Sequence, residues 1–199
     1  MDIVFATNNP HKLKEIASIL GPPFSLSGLK ELNIKEDIPE DFATLEENAS
    51  QKAWYIYTKY KRNCFADDTG LEVVALDGAP GVYSARYSRL GTPVYTHLDI
   101  AAANIRKLLD TMDGISDRRA RFRTVISLVM DGAEHCFEGI VNGHITLSAS
   151  GKEGFGYDPV FQPDGFDLTF AEMDLQQKNS ISHRARAVAK LVDFLKGLK

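Results

Sequence analysis

The sequence contains very little cysteine and no apolar run long enough to cross a membrane. Its 199 residues include only Cys64 and Cys136, which lie far apart in apolar segments and therefore predict buried, reduced thiols rather than a disulfide framework. The first residues also lack the pattern of a signal peptide, because their short apolar run ends at a turn. These features predict a cytoplasmic protein with no membrane partner.

The sequence also lacks an excess of positive charge. The chain has 23 Lys and Arg residues against 27 Asp and Glu residues, a formal net charge of −4 at pH 7. Polymeric nucleic acid requires a broad basic surface, so we expect no polynucleotide partner. No internal repeat or low-complexity tract interrupts the chain, and its 44% hydrophobic content can form a sizeable core. We therefore expect a single domain over residues 1–199.

The spacing of apolar residues predicts an α/β protein with a mixed sheet. Short continuous apolar runs are typical of strands, whereas apolar residues three and four positions apart are typical of helices. Strands are predicted at residues 3–6, 64–66, 71–76, 122–130, 136–141 and 144–147, and helices at residues 10–20, 44–62, 98–112 and from residue 182 onward. The turn signals Asp131-Gly132 and Asn142-Gly143 divide the region after residue 122 into a three-stranded meander.

The segment from Thr7 to Lys12, with the sequence TNNPHK, joins the first predicted strand to the first predicted helix. Asn9 is a favourable N-cap, and Pro10 is a favourable first helical residue. The start of a helix offers N–H donors and the positive end of the helix dipole to an anion, and Lys12 adds a charge that a bound phosphate would balance. The alternative is that Asn9 only caps the helix and Lys12 is solvated. The glycines of a Walker loop are missing.

Carboxylates that could bind Mg²⁺ surround the predicted end of the strand at residues 64–66. Mg²⁺ prefers oxygen ligands and usually takes only one or two carboxylates. Neighbouring residues of a strand point to opposite faces, so Asp67 and Asp68 reach one ion only if the chain turns at Thr69-Gly70, as we expect. We choose Asp68 as the ligand. Glu40 is the second candidate, because Glu47 is already explained by a capping box; a solvated loop acid is the alternative for Glu40.

Lys52 lies on the flank of the apolar face of the second predicted helix. A buried lysine requires an anionic partner. Asn48 lies one turn earlier on the same side, so both side chains could reach a phosphate or the acidic cluster. The alternative is a lysine whose aliphatic part covers the edge of the core while its ammonium group stays in water.

Two motifs in the last quarter of the chain suit a nucleoside. In GFGYDP, residues 154–159, glycines allow close backbone approach and Phe155 could stack on a purine, unless it is an ordinary core aromatic. In KNSISHRARA, residues 178–187, Ser182 is a favourable N-cap, yet His183 and Arg184 follow where positive charge is unfavourable. A 6-oxopurine presents an acceptor to such donors, whereas adenine presents a donor.

Six motifs occur in one order along nearly the whole chain: TNNPHK, TLEENASQKA, FADDTGLEV, GAPGVYSARYS, GFGYDPVF and KNSISHRARA. With these motifs the chain resembles the inosine triphosphate pyrophosphatase family, also called dITP/XTP pyrophosphatases. The resemblance implies an elongated mixed sheet flanked by helices, in two lobes with a central active-site cleft, and a homodimer. It also implies hydrolysis of ITP, dITP and XTP to the monophosphate and pyrophosphate, by Mg²⁺-assisted attack of water on the α-phosphorus.

The resemblance also implies roles for individual residues. Asp68 would be the catalytic proton acceptor and, with Glu40, a Mg²⁺ ligand, while Lys52 would act beside it by supporting the phosphates. The implied substrate-binding residues are Thr7, Asn8, Asn9, Pro10, His11, Lys12, Thr69, Phe155, Gly156, Tyr157, Asp158, Lys178, His183 and Arg184. Two alternatives are a pyrophosphatase for modified pyrimidine nucleotides and a non-catalytic purine-nucleotide sensor. The base-pocket donors argue against the first, and the acidic cluster argues against the second.

Overall fold

The computed structural model describes residues 2–91 and 95–198. In this part of the chain the α-helices are α1 (Pro10–Leu20), α2 (Leu45–Tyr60), α3 (Ile100–Thr111), α4 (Leu175–Ile181) and α5 (His183–Gly197). The strands are β1 (Asp2–Phe5), β2 (Ser25–Gly28), β3 (Cys64–Val73), β4 (Pro80–Gly81), β5 (Arg119–Met130), β6 (Ala133–Ile145) and β7 (Phe161–Pro163). No described helix has the length and apolar character needed to cross a membrane.

The strands form a mixed sheet flanked by helices, as the sequence predicted. Hydrogen-bonded neighbours follow the order β2-β1-β3-β5-β6-β7, and β4 also pairs with β3. β1 runs parallel to β2 and β3, whereas the β3–β4 and β6–β7 pairs are antiparallel. By its contacts the chain divides into two compact units. The first unit comprises Met1–Asp68, Thr124–Ile140 and Ser182–Lys199, and the second comprises Thr69–Arg123 and Val141–Ile181.

In the first unit, β3 contributes to two separate hydrophobic clusters. Phe65 belongs to the cluster that contains Ile16 of α1 and Leu191 of α5. Ala66 belongs to the cluster that contains Ala53 of α2. Because successive side chains of a strand point to opposite faces, α1 and α5 cover one face of β3 and α2 covers the other. This alternation determines where the acidic residues that follow can point.

In the second unit, aromatic rings form the centre of the core. The ring centroid of Phe122 lies 4.7 Å from that of Phe161 and 6.1 Å from that of Phe170. Leu71 of β3 and Leu108 of α3 belong to the same buried cluster. Burial of each such large apolar side chain stabilises the fold by about 1.5–3 kcal/mol. This core supports the loop that carries the GFGYDP motif, because Tyr157 of that loop belongs to the same buried cluster.

Two predicted turns do not form. β3 continues through Thr69-Gly70, and β6 continues through Asn142-Gly143. Both glycines instead permit close approach of a neighbouring strand: a Cβ atom at Gly70 would lie 2.8 Å from the Gly81 carbonyl oxygen, and one at Gly143 would lie 2.2 Å from that of Gln162. The turn at Asp131-Gly132 does join β5 to β6, as predicted.

Other differences concern element bounds and one thiol. The predicted strand at residues 71–76 ends at Val73 and is followed by a short 3₁₀-helix, and β2 was not predicted. α3 begins at Ile100, two residues after the predicted start, and α4 was not predicted. Cys64 is buried, as expected, but Cys136 is exposed. The apolar run at residues 136–141 forms a strand with one buried face, and Cys136 lies on the other face. The prediction that both thiols are buried is therefore wrong for Cys136.

Candidate active site

Asp67 and Asp68 lie next to each other in β3 of the first unit and point to opposite faces of the sheet. Asp67 follows Phe65 on the face covered by α1 and α5, whereas Asp68 follows Ala66 on the face covered by α2. Both residues are buried, with 1% and 9% of their surface exposed. The predicted turn would have let both reach one ion, but the continuous strand gives them separate partners.

Asp68 lies beside Lys52 and Glu40. The Lys52 ammonium group donates to Asp68 Oδ1 at 3.3 Å and to Glu40 Oε1 at 2.5 Å, and Lys52 itself is only 5% exposed. Lys52 is therefore a buried lysine with anionic partners rather than one that extends into water. Asn48 does not join this cluster, because its amide group binds the backbone N–H and carbonyl of Phe42 and so fixes the loop after Glu40.

Burial and charge shift the pKa values of this cluster. Burial disfavours the ionised carboxylate of Asp68 and raises its pKa. Burial also opposes the charged form of Lys52, but the carboxylates of Asp68 and Glu40 outweigh it and raise the pKa of Lys52. The cluster thus contains a lysine that stays protonated and a carboxylate whose negative charge a further cation would stabilise.

Asp67 belongs to a chain of buried ion pairs on the other face of β3. Lys12 donates to Asp67 Oδ1 at 2.8 Å, and Arg184 Nε donates to Asp67 Oδ2 at 3.1 Å. Arg184 also donates to the carboxylate of Glu15. Burial opposes ionisation of Asp67, yet the positive charges of Lys12 and Arg184 hold its pKa well below the usual range. Lys12 is thus not a solvated surface residue.

The TNNPHK segment forms the N-terminus of α1 as predicted, and the Asn9 side chain accepts from two of the N–H groups there. Asn9 Oδ1 accepts hydrogen bonds from the N–H groups of His11 at 2.9 Å and Lys12 at 3.3 Å. Thr7 Oγ1 accepts from the Asn9 N–H at 3.1 Å, which orders the approach to the helix. The cap therefore satisfies these two N–H groups, and binding of an anion at the start of α1 stays a prediction. Asn8 and Pro10 are exposed at this turn, as is His11.

α5 begins at His183 with Ser182 as its N-cap, as the KNSISHRARA motif predicted. Ser182 Oγ accepts from the Ala185 N–H at 3.2 Å. His183 and Arg184 are both buried. Arg184 was expected to need an acceptor from a ligand, but Asp67 and Glu15 of the protein already accept from it. A role for either residue in recognising the base stays a prediction.

A second group of predicted residues gathers in the second unit. Lys178 Nζ and Asp158 Oδ2 form a buried ion pair at 2.7 Å, and the same oxygen accepts from the Phe155 N–H at 2.7 Å. The Lys178 ammonium group lies 5.1 Å from the centroid of the Phe155 ring. The Tyr157 hydroxyl donates to the Ser84 carbonyl at 3.1 Å, and burial raises its pKa. The side chains of Lys178, Asp158 and Phe155 are thereby held in one place.

The remaining predicted residues of the second unit have less defined surroundings. Gly156 lies in the same loop as Phe155, with a φ of 62°. Thr69 lies inside β3 rather than in the predicted turn, and it is half-buried. Their proposed contacts with substrate stay predictions.

Comparison with known proteins identifies the family. Residues 3–194 match the model of the Ham1 family. The chain belongs to the Ham1 family. A dITP/XTP pyrophosphatase of Porphyromonas gingivalis is 54% identical over 97% of this chain and 96% of its own length, and one of Flavobacterium johnsoniae is 47% identical over the full length of both. The family resemblance inferred from the six motifs is thus confirmed.

Solved structures of Ham1 proteins share the fold. The Staphylococcus aureus Ham1 protein superposes with a TM-score of 0.86 at 40% identity, covering 100% of both chains. A nucleoside-triphosphatase / dITP/XTP pyrophosphatase of Mycobacterium abscessus superposes with a TM-score of 0.74 at 38% identity, covering 96% of this chain and 98% of that one. The predicted mixed α/β fold is therefore that of the Ham1 family.

The Ham1 chain has few candidate metal ligands. Among residues 2–91 and 95–198, no group of three or more His, Cys, Asp or Glu side chains is arranged to hold a metal ion. Glu40 and Asp68 form a pair of carboxylates, and Lys52 already lies between them as a cation. Such a pair suits Mg²⁺, which usually binds one or two carboxylates and completes its coordination with water and phosphate. The residues therefore fit the predicted ion.

Glu15 is the residue of this Ham1 site that sequence reasoning missed. It is buried, and it accepts a charge-assisted hydrogen bond from Arg184, which lies 169 positions away in the chain. The apolar pattern of α1 runs through Leu13 and Ile16 and gives no sign of a buried carboxylate between them. The unfavourable position of Arg184 at a helix N-terminus did indicate a missing acceptor, but not which one.

Proposed function

We propose that this chain hydrolyses non-standard purine nucleoside triphosphates, among them ITP, dITP and XTP, to the nucleoside monophosphate and pyrophosphate. The observation that carries this proposal is the buried carboxylate of Asp68, held beside Lys52 and Glu40 in a Ham1-family fold. The relatives named dITP/XTP pyrophosphatase support the substrate class. The whole chain would act as one domain.

In the proposed reaction, water attacks the α-phosphorus, and the bond from that phosphorus to the bridging oxygen breaks as pyrophosphate leaves. Asp68 accepts the proton of the attacking water. We assign the proton to Oδ2, because Lys52 donates to Oδ1. An ordinary aspartate, with a pKa of about 3.9, is a weak base at neutral pH, so this proton transfer depends on a bound cation that makes the water more acidic.

Glu40 and Asp68 would hold the divalent cation, for which we propose Mg²⁺. When bound, such an ion neutralises phosphate charge and makes water more acidic. Lys52 keeps its positive charge between the two carboxylates and stabilises the negative charge that develops on the phosphates. Lys12, at the start of α1, would add a second positive group for the triphosphate, supported by the ordered turn from Thr7 to His11.

Base recognition is the second part of the proposal. Phe155 would stack on the purine, while Asp158 and Lys178 would bind the nucleoside next to Gly156 and Tyr157. His183 and Arg184, in the first unit, would donate to a 6-oxo group, which distinguishes inosine and xanthosine from adenosine.

The test is release of pyrophosphate from ITP by the purified protein with Mg²⁺, compared with the Asp68→Asn variant. We expect turnover by the wild type and a loss of at least about 100-fold in the variant, since a general base contributes roughly that much. A panel of ITP, dITP, XTP, ATP, GTP and modified pyrimidine triphosphates measures selectivity. No pyrophosphate from any purine, or full activity of the variant, would refute the proposal.

Two further parts of the proposal concern the protein's state in the cell. We propose a homodimer and a cytoplasmic location. Light scattering of the purified protein measures the first, and fractionation of cells that express the tagged chain measures the second.

A further inference from the structure

The loop at residues 150–158, which carries the GFGYDP motif, is fastened to the segment at residues 169–172 of the same unit. The N–H groups of Lys152 and Glu153 both donate to the Ala171 carbonyl, at 3.0 Å and 2.9 Å. One backbone oxygen therefore holds two successive residues at the start of the loop.

The two segments approach each other more closely than most side chains would permit. A Cβ atom at Gly151 would lie 2.2 Å from the carbonyl carbon and oxygen of Ala171, and its φ of 87° also favours glycine. At the other end of the loop, the Ala171 N–H donates to the Asp158 carbonyl at 3.2 Å. Ala171 thus contacts both the beginning and the end of the loop.

The Glu172 carboxylate adds side-chain hydrogen bonds to this attachment between the two segments. The Ser150 hydroxyl donates to Glu172 Oε1 at 2.6 Å, and the Thr169 N–H donates to Oε2 at 2.8 Å. The Thr169 hydroxyl in turn donates to the Ser150 carbonyl at 2.9 Å. These donors favour the ionised carboxylate and lower the pKa of Glu172, first through Ser150 and then through Thr169. Glu172 therefore stays negatively charged at neutral pH.

The second half of the loop, residues 155–158, is held by contacts to the Asp158 carboxylate. The Asp158 carboxylate accepts from the Phe155 N–H, and Lys178 binds the same carboxylate oxygen while lying near the Phe155 ring. The place of Phe155 and Asp158 thus depends on where the segment at residues 169–172 holds the loop.

We propose that Glu172 is a positioning residue for nucleoside binding, which sets the place of Phe155 and Asp158 through the backbone of their loop. This inference rests on the proposed function, because it assigns the loop to the nucleoside. Glu172 does not need to touch the ligand. Both of its oxygens accept hydrogen bonds that its negative charge strengthens, and an amide in its place has neither that charge nor a second accepting oxygen.

The test compares Glu172→Gln with the wild type in steady-state hydrolysis of ITP. We expect KM to rise about tenfold, because a charge-assisted hydrogen bond is lost, with kcat within about twofold. Inorganic tripolyphosphate has the phosphate chain but no nucleoside, so its inhibition constant should stay unchanged. Asp167→Asn removes the same charge from an exposed residue of the same unit, and we expect wild-type constants for it.

Ser150→Ala provides a second measurement, because it removes the donor to Glu172 Oε1. The double variant Ser150→Ala/Glu172→Gln should raise KM by less than the product of the two single effects, since both changes weaken the same attachment. A KM for Glu172→Gln within twofold of the wild type would overturn the inference, as would a parallel rise in the tripolyphosphate constant. If the wild type releases no pyrophosphate, the proposed function fails instead, and calorimetric binding of inosine monophosphate to both proteins then tests Glu172.

Discussion

Replacing Asp67 by Asn should damage stability, whereas the same change at its neighbour Asp68 should damage turnover. On the Asp67 face, Lys12 and Arg184 contribute two positive charges, and Asp67 and Glu15 contribute two negative charges, so the cluster is neutral. Asp67→Asn keeps the shape of the side chain but leaves one buried positive charge without compensation.

The size of the effect follows from the burial of these groups. Removal of one partner from a buried ion pair costs about 3–5 kcal/mol. Asparagine still offers one oxygen to Lys12 or Arg184, so we expect about 3 kcal/mol, the lower end of that range. In a protein of this length 1 kcal/mol changes the unfolding temperature by about 2–4 °C, so the midpoint should fall by about 6–12 °C.

Asp68→Asn is the matched control. Lys52 keeps Glu40 as a partner, and the lost carboxylate is one whose charged form burial already disfavours. We therefore expect a loss of only about 1 kcal/mol, typical of one hydrogen bond. Thermal unfolding by circular dichroism measures both variants, and ITP turnover well below their midpoints measures activity. Asp67→Asn should keep at least about a tenth of wild-type kcat. Equal unfolding temperatures, or equal turnover, in the two variants would refute the assignment of the two aspartates to separate faces and tasks.

Four other predictions follow from the same contacts. Chelation with EDTA should abolish pyrophosphate release and added Mg²⁺ should restore it, whereas activity that survives chelation would contradict the proposed role of Glu40 and Asp68. Lys178→Met leaves the buried Asp158 carboxylate without its ammonium partner and should destabilise the fold by about 3–5 kcal/mol in urea titration. Gly143→Ala should cost about 1–3 kcal/mol, because its Cβ atom would meet the Gln162 carbonyl, and an unchanged denaturation midpoint would contradict that close approach. The pKa of Asp67 is lower in the folded protein than in the unfolded chain, where it is about 3.9. Asp67 therefore stabilises the fold above the unfolded pKa, and this stabilisation is lost as the pH falls through the folded pKa. In acid titration, the free energy of unfolding should fall less steeply for Asp67→Asn than for the wild type.

Three helix starts were predictable from the sequence because their signals are local, whereas α3 was predicted to begin two residues too early. Asn9, Thr44 and Ser182 each cap the helix that they were predicted to begin, and each accepts from an N–H group within three residues. The hairpin at Asp131-Gly132 is equally local. Interactions between residues close in sequence determine these caps and this turn, so they could be predicted without knowledge of tertiary contacts.

The full lengths of β3 and β6 were not predictable, because residues with turn composition lie inside both strands. Thr69-Gly70 and Asn142-Gly143 have turn composition, yet their glycines are needed where Gly81 and Gln162 approach. Which strand lies next to a glycine depends on residues far along the chain. Turn composition alone therefore ended β3 and β6 too early.

The candidate site was predictable in most of its members, with Glu15 as the exception, but only partly in its contacts. The sequence interpretation grouped Glu40, Lys52 and Asp68, and the structure brings these three side chains together. Arg184, by contrast, binds Asp67 across 117 positions and Glu15 across 169 positions, separations that no periodicity encodes. Sequence reasoning recognised that Arg184 lacked an acceptor and assigned a ligand to it.

The cluster of Glu40, Lys52 and Asp68 has a consequence for ionic strength. It carries two negative charges and one positive charge, a formal net of −1, and Glu40 leaves 38% of its side chain exposed as an approach from solvent. Buried charges are screened much less than exposed ones, for which the Debye length is about 8 Å at physiological salt. Attraction of a divalent cation to this cluster should therefore persist in the salt of a cell, where interactions between exposed charges more than a Debye length apart are largely screened.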